Sequence, residues 1–194
     1  KSNTSGLGKN EQMGLYGELI LLEKLLNLFP KKSLEVLNGW KGPTGAYHDF
    51  AYSGRSIEVK TTKKKTPEAT IGSEKQLDRM KLTNLWLNAY SYVPDSGSDT
   101  LPKIISRIEK KLKGTAALRI FSRLLNIHCD REEFDSYDTT YSESKQYWYD
   151  VKKGFPAITN KPKGIGNISY GLLLDQIEDK FKVEQADVFK VLNL

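Results

Sequence analysis

The chain is poor in the residues that build redox and transition-metal chemistry. Its 194 residues include one cysteine, Cys129, and two histidines, His48 and His128. A single thiol excludes an intrachain disulfide, and with two imidazoles it falls short of a four-ligand zinc site. The expected compartment is therefore the cytoplasm. No run approaches the roughly 18 apolar residues of a membrane helix, so no membrane partner is expected. No signal peptide is visible, and the start at Lys1 rather than Met leaves open what precedes it. Internal repeats are absent as well.

What is present suits a soluble globular protein: 38% apolar and 28% charged residues. The length fits one domain, with room for two small subdomains. A net charge of +6 and a pI near 9.2 permit a polyanionic partner without specifying one.

Apolar positions Leu15, Leu19, Leu22, Leu26 and Phe29 recur at helical spacing and predict one amphipathic helix from about Asn10 to Phe29, stopped by Pro30-Lys-Lys. Residues 34–37 read as a short strand, 46–52 and 55–61 as a hairpin, and 69–71 as a further strand. A short helix over 73–80 and a strong strand over 85–93 follow. Pro94-Asp-Ser-Gly-Ser-Asp99 reads as the clearest loop. Beyond it the spacing predicts helices over 101–112, 115–127 and 186–192. Strands over 147–151 and 168–174 are expected to pair with each other across the Pro156–Gly166 loop. The pattern as a whole is α/β, a three-layer core with a mixed sheet flanked by helices and a mostly helical C-terminal addition.

The most informative stretch is Gly45-Ala-Tyr-His-Asp49-Phe-Ala-Tyr-Ser-Gly54-Arg-Ser-Ile-Glu58-Val-Lys60. Strand side chains alternate faces, so Glu58 and Lys60 project together, and a turn at Ser53-Gly54 returns Asp49 beside them. Two carboxylates and an ammonium at one point are the makings of a Mg²⁺-dependent phosphodiesterase site. The same spacing also fits a solvated hairpin with a cross-strand charge pair.

Glu18 lies against the apolar stripe of the first helix, among Leu15, Leu22 and Leu25, with Gly14 and Gly17 within one turn. A helical glycine costs roughly 1 kcal/mol relative to alanine, so close backbone approach is the expected reason for both. A carboxylate on such a face calls for a cation or a metal, which makes Glu18 a candidate third acid; the bland alternative is a rim glutamate. Lys63, Lys64 and Lys65 are equally a solvated loop or a contact to a phosphate backbone. His48 and Asp49 point to opposite faces of a strand, and His128-Cys129 diverge likewise, so neither pair reads as a catalytic dyad.

Gly14-Leu-Tyr-Gly-Glu18-Leu, Trp40-x-Gly42-Pro43, the Asp49…Glu58-Val-Lys60 hairpin and Gln76-Leu-Asp together resemble the bacterial PD-(D/E)XK family of unassigned function. So do Val151-x-x-x-Phe155-Pro156-x-Ile158 and Gly164-Ile-x-x-Ile168-Ser-Tyr170. The resemblance runs from about Gly14 to about Ile177, with His48 standing before Asp49 where proline is common. It implies a restriction-endonuclease-like core over residues 10–97, an extension packed on it over 98–194, and a longer protein of which this is the C-terminal part. It also implies a Mg²⁺-dependent nuclease, with Mn²⁺ able to substitute, acting on nucleic acid, DNA foremost, in bacterial restriction or anti-phage defence. A homodimer or partner defence proteins fit the same setting.

In that reading Asp49, Glu58 and the Val59 carbonyl hold the metal, Glu18 supports it, and Lys60 orients or deprotonates the attacking water. Gln76 matches a glutamine of exonuclease-like relatives that holds a phosphate or a water on the metal. The rival expectation is a non-catalytic nucleic-acid-binding or assembly subunit with the same fold.

Overall fold

A computed structural model describes residues 6–79 and 81–194. The protein is α/β and divides into two compact units. One holds the described part of Lys1–Gly45 together with Val93–Ser142; the other is formed by Ala46–Tyr92 and Glu143–Asn193.

The first unit is helical. Helix α1 (Lys9–Leu28) follows the apolar spacing seen in sequence. It packs with α2 (Ser33–Gly39) and α3 (Leu101–Leu112), and α4 (Ala116–His128) closes on α2 and α3. Arg107 of α3 binds Glu23 of α1 at 3.0 Å and Asp99 at 2.7 Å, and Tyr16 donates its hydroxyl to the same aspartate. Residues 34–37 are helical, not the expected strand. Val36 and Leu37 are both fully buried, a pairing of adjacent positions that a half-buried strand cannot satisfy.

The second unit is built on a four-stranded sheet in the order β1-β2-β4-β5. Strand β1 (Phe50–Tyr52) pairs antiparallel with β2 (Arg55–Thr62), which runs parallel to β4 (Asn84–Thr100). The β1–β2 turn has positive φ at both central residues, Ser53 (37°) and Gly54 (80°), the backbone that tight hairpins favour. Strand β5 (Thr140–Asp150) lies on the far side of β4 and donates Ser144 Oγ–H to the Ser91 carbonyl. A separate two-stranded sheet joins β3 (Glu68–Ile71) to β6 (Tyr170–Leu173), antiparallel. The two sheets share one core, with Leu85, Leu87 and Tyr149 from the larger and Ile71, Leu172 and Leu174 from the smaller. Helix α5 (Gln185–Leu192) ends on Arg55, which donates to the Val191 and Leu192 carbonyls at 2.6 and 2.5 Å. A cation there satisfies the last turn of the helix.

Three further expectations change. Pro94–Asp99 is the outer part of β4 rather than a loop, because pairing along β5 overrides the turn-forming composition. Gly97, at φ 104°, is needed there, since a Cβ would stand 2.8 Å from the Tyr141 carbonyl oxygen. Residues 147–151 and 168–174 do not pair with each other; β5 joins β4 and β6 joins β3. Within the segment expected as a short helix, Glu74–Leu77 is a turn, and Met80 lies outside the described residues.

Candidate functional site

Strand β2 carries the chemistry through its alternation. Ile57 and Val59 share a face with their register partners Trp86 and Asn88, whereas Glu58 and Lys60 share the other with Leu87 and Ala89. The apolar core lies on this second face, so Glu58 is turned into it and is only 1% exposed.

Asp49 explains why β1 is shorter than its sequence pattern suggests. Its Oδ2 accepts the Val59 amide at 2.7 Å, a donor that a longer β1 would have bonded through its backbone. In an extended strand the N–H and C=O of one residue point to the same side. The Val59 carbonyl therefore faces the side on which Asp49 sits. Asp49 and Lys60 both act electrostatically on Glu58, and Lys60 Nζ stands 2.6 Å from Glu58 Oε1. The three charged groups read from the sequence thus meet in one place.

That place is electrostatically strained. Burial, reinforced by the negative charge of Asp49, pushes the Glu58 carboxyl up to about 8, against the pull of Lys60. Of the described groups that act on this buried carboxyl, Lys60 is the one cation, and it lies against Oε1. Two carboxylates and a backbone carbonyl form an all-oxygen donor set, which suits a hard cation such as Mg²⁺ that keeps several waters. No group of three or more Asp, Glu, His or Cys side chains placed to hold a metal occurs among the described residues.

His48, next to Asp49, has its imidazole pKa lowered by burial, partly offset by the charge of Asp78. Gln76 sits in a turn and its Oε1 accepts the Gly72 amide at 2.7 Å, which commits its carbonyl oxygen to the backbone. Lys63, Lys64 and Lys65 are exposed just beyond β2; Lys64 pairs with Glu68 at 2.6 Å. Sequence reasoning assigned no role to Tyr170. Its phenol accepts the Ile158 amide at 3.1 Å and is close enough to Lys60 to feel its charge. The sequence signal for it is the Gly164…Ile168-Ser-Tyr170 block, to which the resemblance attaches no role.

Glu18 belongs to the helical unit, where the Trp40 indole donates to its Oε2 at 2.8 Å. The Gly-Pro turn after Trp40 is part of the same arrangement, because a Cβ on Gly42 would occupy the place of that carboxylate. Gly42→Ala is expected to swing Glu18 away and strand the indole N–H, lowering stability by about 1–3 kcal/mol. Thermal melting of Gly42→Ala beside Glu18→Gln checks this: the glutamine keeps an acceptor for Trp40 and should melt close to wild type.

A family model described as "Putative PD-(D/E)XK family member" (DUF4420) matches residues 1–175. No curated protein and no solved structure matches the chain. The four-stranded mixed sheet is compatible with a restriction-endonuclease-like core. Among the described residues, no helix is long and apolar enough to cross a membrane.

Proposed function

From a chain that belongs to the PD-(D/E)XK family over residues 1–175, we propose a divalent-metal-dependent nuclease that cleaves nucleic acid, DNA foremost. The observation that carries this reading is the buried Glu58 carboxyl, raised to about 8 and acted on by both Asp49 and Lys60. A carboxyl kept that far from its ordinary range is costly to the fold and supports a functional role for it.

Asp49, Glu58 and the Val59 carbonyl would hold Mg²⁺ or Mn²⁺. Bound there, the cation supplies Lewis-acid polarisation of the phosphodiester and lowers the pKa of the attacking water. Asp49 stays oriented through the Val59 amide, so its second oxygen has a fixed direction. Lys60 is held at the carboxylate by its contact with Glu58, placed to orient or deprotonate that water and to offset charge on the phosphoryl oxygens. Glu18 is proposed as a supporting acid on the sequence argument alone. Glu18→Gln should then weaken metal dependence and slow cleavage by roughly ten- to a hundredfold. Lys63, Lys64 and Lys65 are proposed to follow the phosphate backbone. Gln76 reaches substrate or metal-held water only through its amide N–H₂. Bacterial restriction or anti-phage defence is the setting proposed, on the family resemblance.

The alternative is a non-catalytic nucleic-acid-binding or assembly subunit with the same fold. The two readings separate when purified protein is incubated with Mg²⁺ or Mn²⁺ and linear, circular and single-stranded substrates of DNA and RNA. Metal-dependent cleavage that disappears in Asp49→Asn supports the nuclease. Binding without cleavage under every condition supports the subunit.

A further inference from the structure

The segment that leads into Tyr170, beside Lys60, is strongly basic. Between Val151 and Tyr170 the chain carries four lysines and no acidic residue. Residues 157–169 have no regular secondary structure, yet polar contacts hold them. The Tyr170 hydroxyl accepts the Ile158 amide at 3.1 Å, closing the loop at its base. Across the loop, Lys161 Nζ donates to the Gly166 carbonyl at 3.1 Å. At the tip, the Ile165 amide donates to the Pro162 carbonyl at 3.2 Å, with Gly164 at φ 92°. Positive φ at the third position of such a turn is where glycine is favoured, and it leaves Lys163 exposed at the tip.

An ordered loop of one charge sign works against the folded state through self-repulsion. Partial compensation comes from Glu74, 3.7 Å from Lys161. Ile158 and Ile165 are each 48% exposed, so apolar burial is not the loop's main support. The base of the loop is anchored on β6, where Tyr170 pairs with Ile71 of β3 and lies within the electrostatic reach of Lys60. A cationic strap is therefore pinned beside Lys60.

We propose that the Ile158–Tyr170 loop is a phosphate clamp. Lys161 and Lys163 grip the sugar–phosphate backbone of a polynucleotide strand beyond the scissile phosphate, and Tyr170 acts as a positioning residue that pins the loop. This deepens the nuclease reading and rests on it: the substrate is a polymer engaged over several nucleotides rather than a small phosphodiester.

The test is the salt dependence of binding, by fluorescence anisotropy of a labelled duplex in EDTA, so that no cleavage intervenes. Each lost phosphate contact lowers the slope of log K against log salt by about 0.9 for duplex DNA. The variant Lys161→Ala/Lys163→Ala should therefore lose up to about two slope units, while Lys180→Ala/Lys190→Ala, in the same unit, should match wild type. Tyr170→Phe keeps the ring and drops the acceptor. It should raise Kd about fivefold, the effect of one hydrogen bond, with melting temperature and slope unchanged. A wild-type slope in the Lys161/Lys163 variant overturns the clamp, and wild-type affinity in Tyr170→Phe overturns the pin. If wild type cleaves DNA and the slope does not move, the clamp alone falls. If wild type neither binds nor cleaves, the nuclease reading falls with it.

Discussion

Glu58→Gln is expected to lower metal-dependent cleavage by roughly a thousandfold, the scale for removing a group that organises charge in the transition state. The same change should reshape the pH dependence of stability. The Glu58 carboxyl titrates at about 8 in the folded protein, against 4.5 for its ordinary value. Its folded pKa lies above the unfolded one, so the folded state holds a proton that the unfolded state has released. Stability from this group is then greatest below about 4.5 and declines as pH rises toward about 8. The limiting slope is about 1.4 kcal/mol per pH unit. Glutamine has no such proton to lose. Melting curves of the metal-free proteins from pH 5 to 8.5 should therefore diverge, with wild type falling away from Glu58→Gln as pH rises. Parallel curves would mean that Glu58 is solvated in solution.

Lys60→Ala is the second large effect. If Lys60 has its proposed role at the attacking water, its loss should slow single-turnover cleavage by roughly 10²–10⁴-fold. Nucleic-acid affinity in EDTA should change far less, because Lys60 is half-buried against Glu58, whereas the lysines proposed to follow the backbone are exposed. The substitution also removes the influence that lowers the Glu58 pKa. The pH range over which wild-type stability declines should accordingly extend upward in this variant. Equal losses in binding and cleavage would assign Lys60 to docking instead.

The grouping of Asp49, Glu58 and Lys60 was legible in sequence where local rules governed it. Alternation placed Glu58 and Lys60 together, the Ser53-Gly54 turn returned the chain, and Asp49 followed from the hairpin register. The helices over Lys9–Leu28, Leu101–Leu112 and Gln185–Leu192 were legible for a similar reason, since each buries a face at helical spacing. What escaped depends on long-range partners. Residues Pro94–Asp99 have turn composition, but a neighbouring strand supplies hydrogen bonds that composition does not register. Strand β6 was paired with the wrong partner because hairpin logic favours the preceding strand, whereas β3 lies about a hundred residues back in the sequence. The burial of Val36 beside Leu37 likewise depends on what packs around α2. Asp49 taking the Val59 amide, and thereby shortening β1, is a choice between two acceptors that strand propensity cannot rank.

Calorimetric titration of Mn²⁺ at pH 7, run in two buffers of different ionisation enthalpy, tests the central claim most directly. If Asp49 and Glu58 hold the cation, wild type should show saturable binding with release of close to one proton, the one carried by a carboxyl titrating at about 8. Asp49→Asn should bind far more weakly. Absence of saturable binding by wild type, or binding without proton release, would contradict the account.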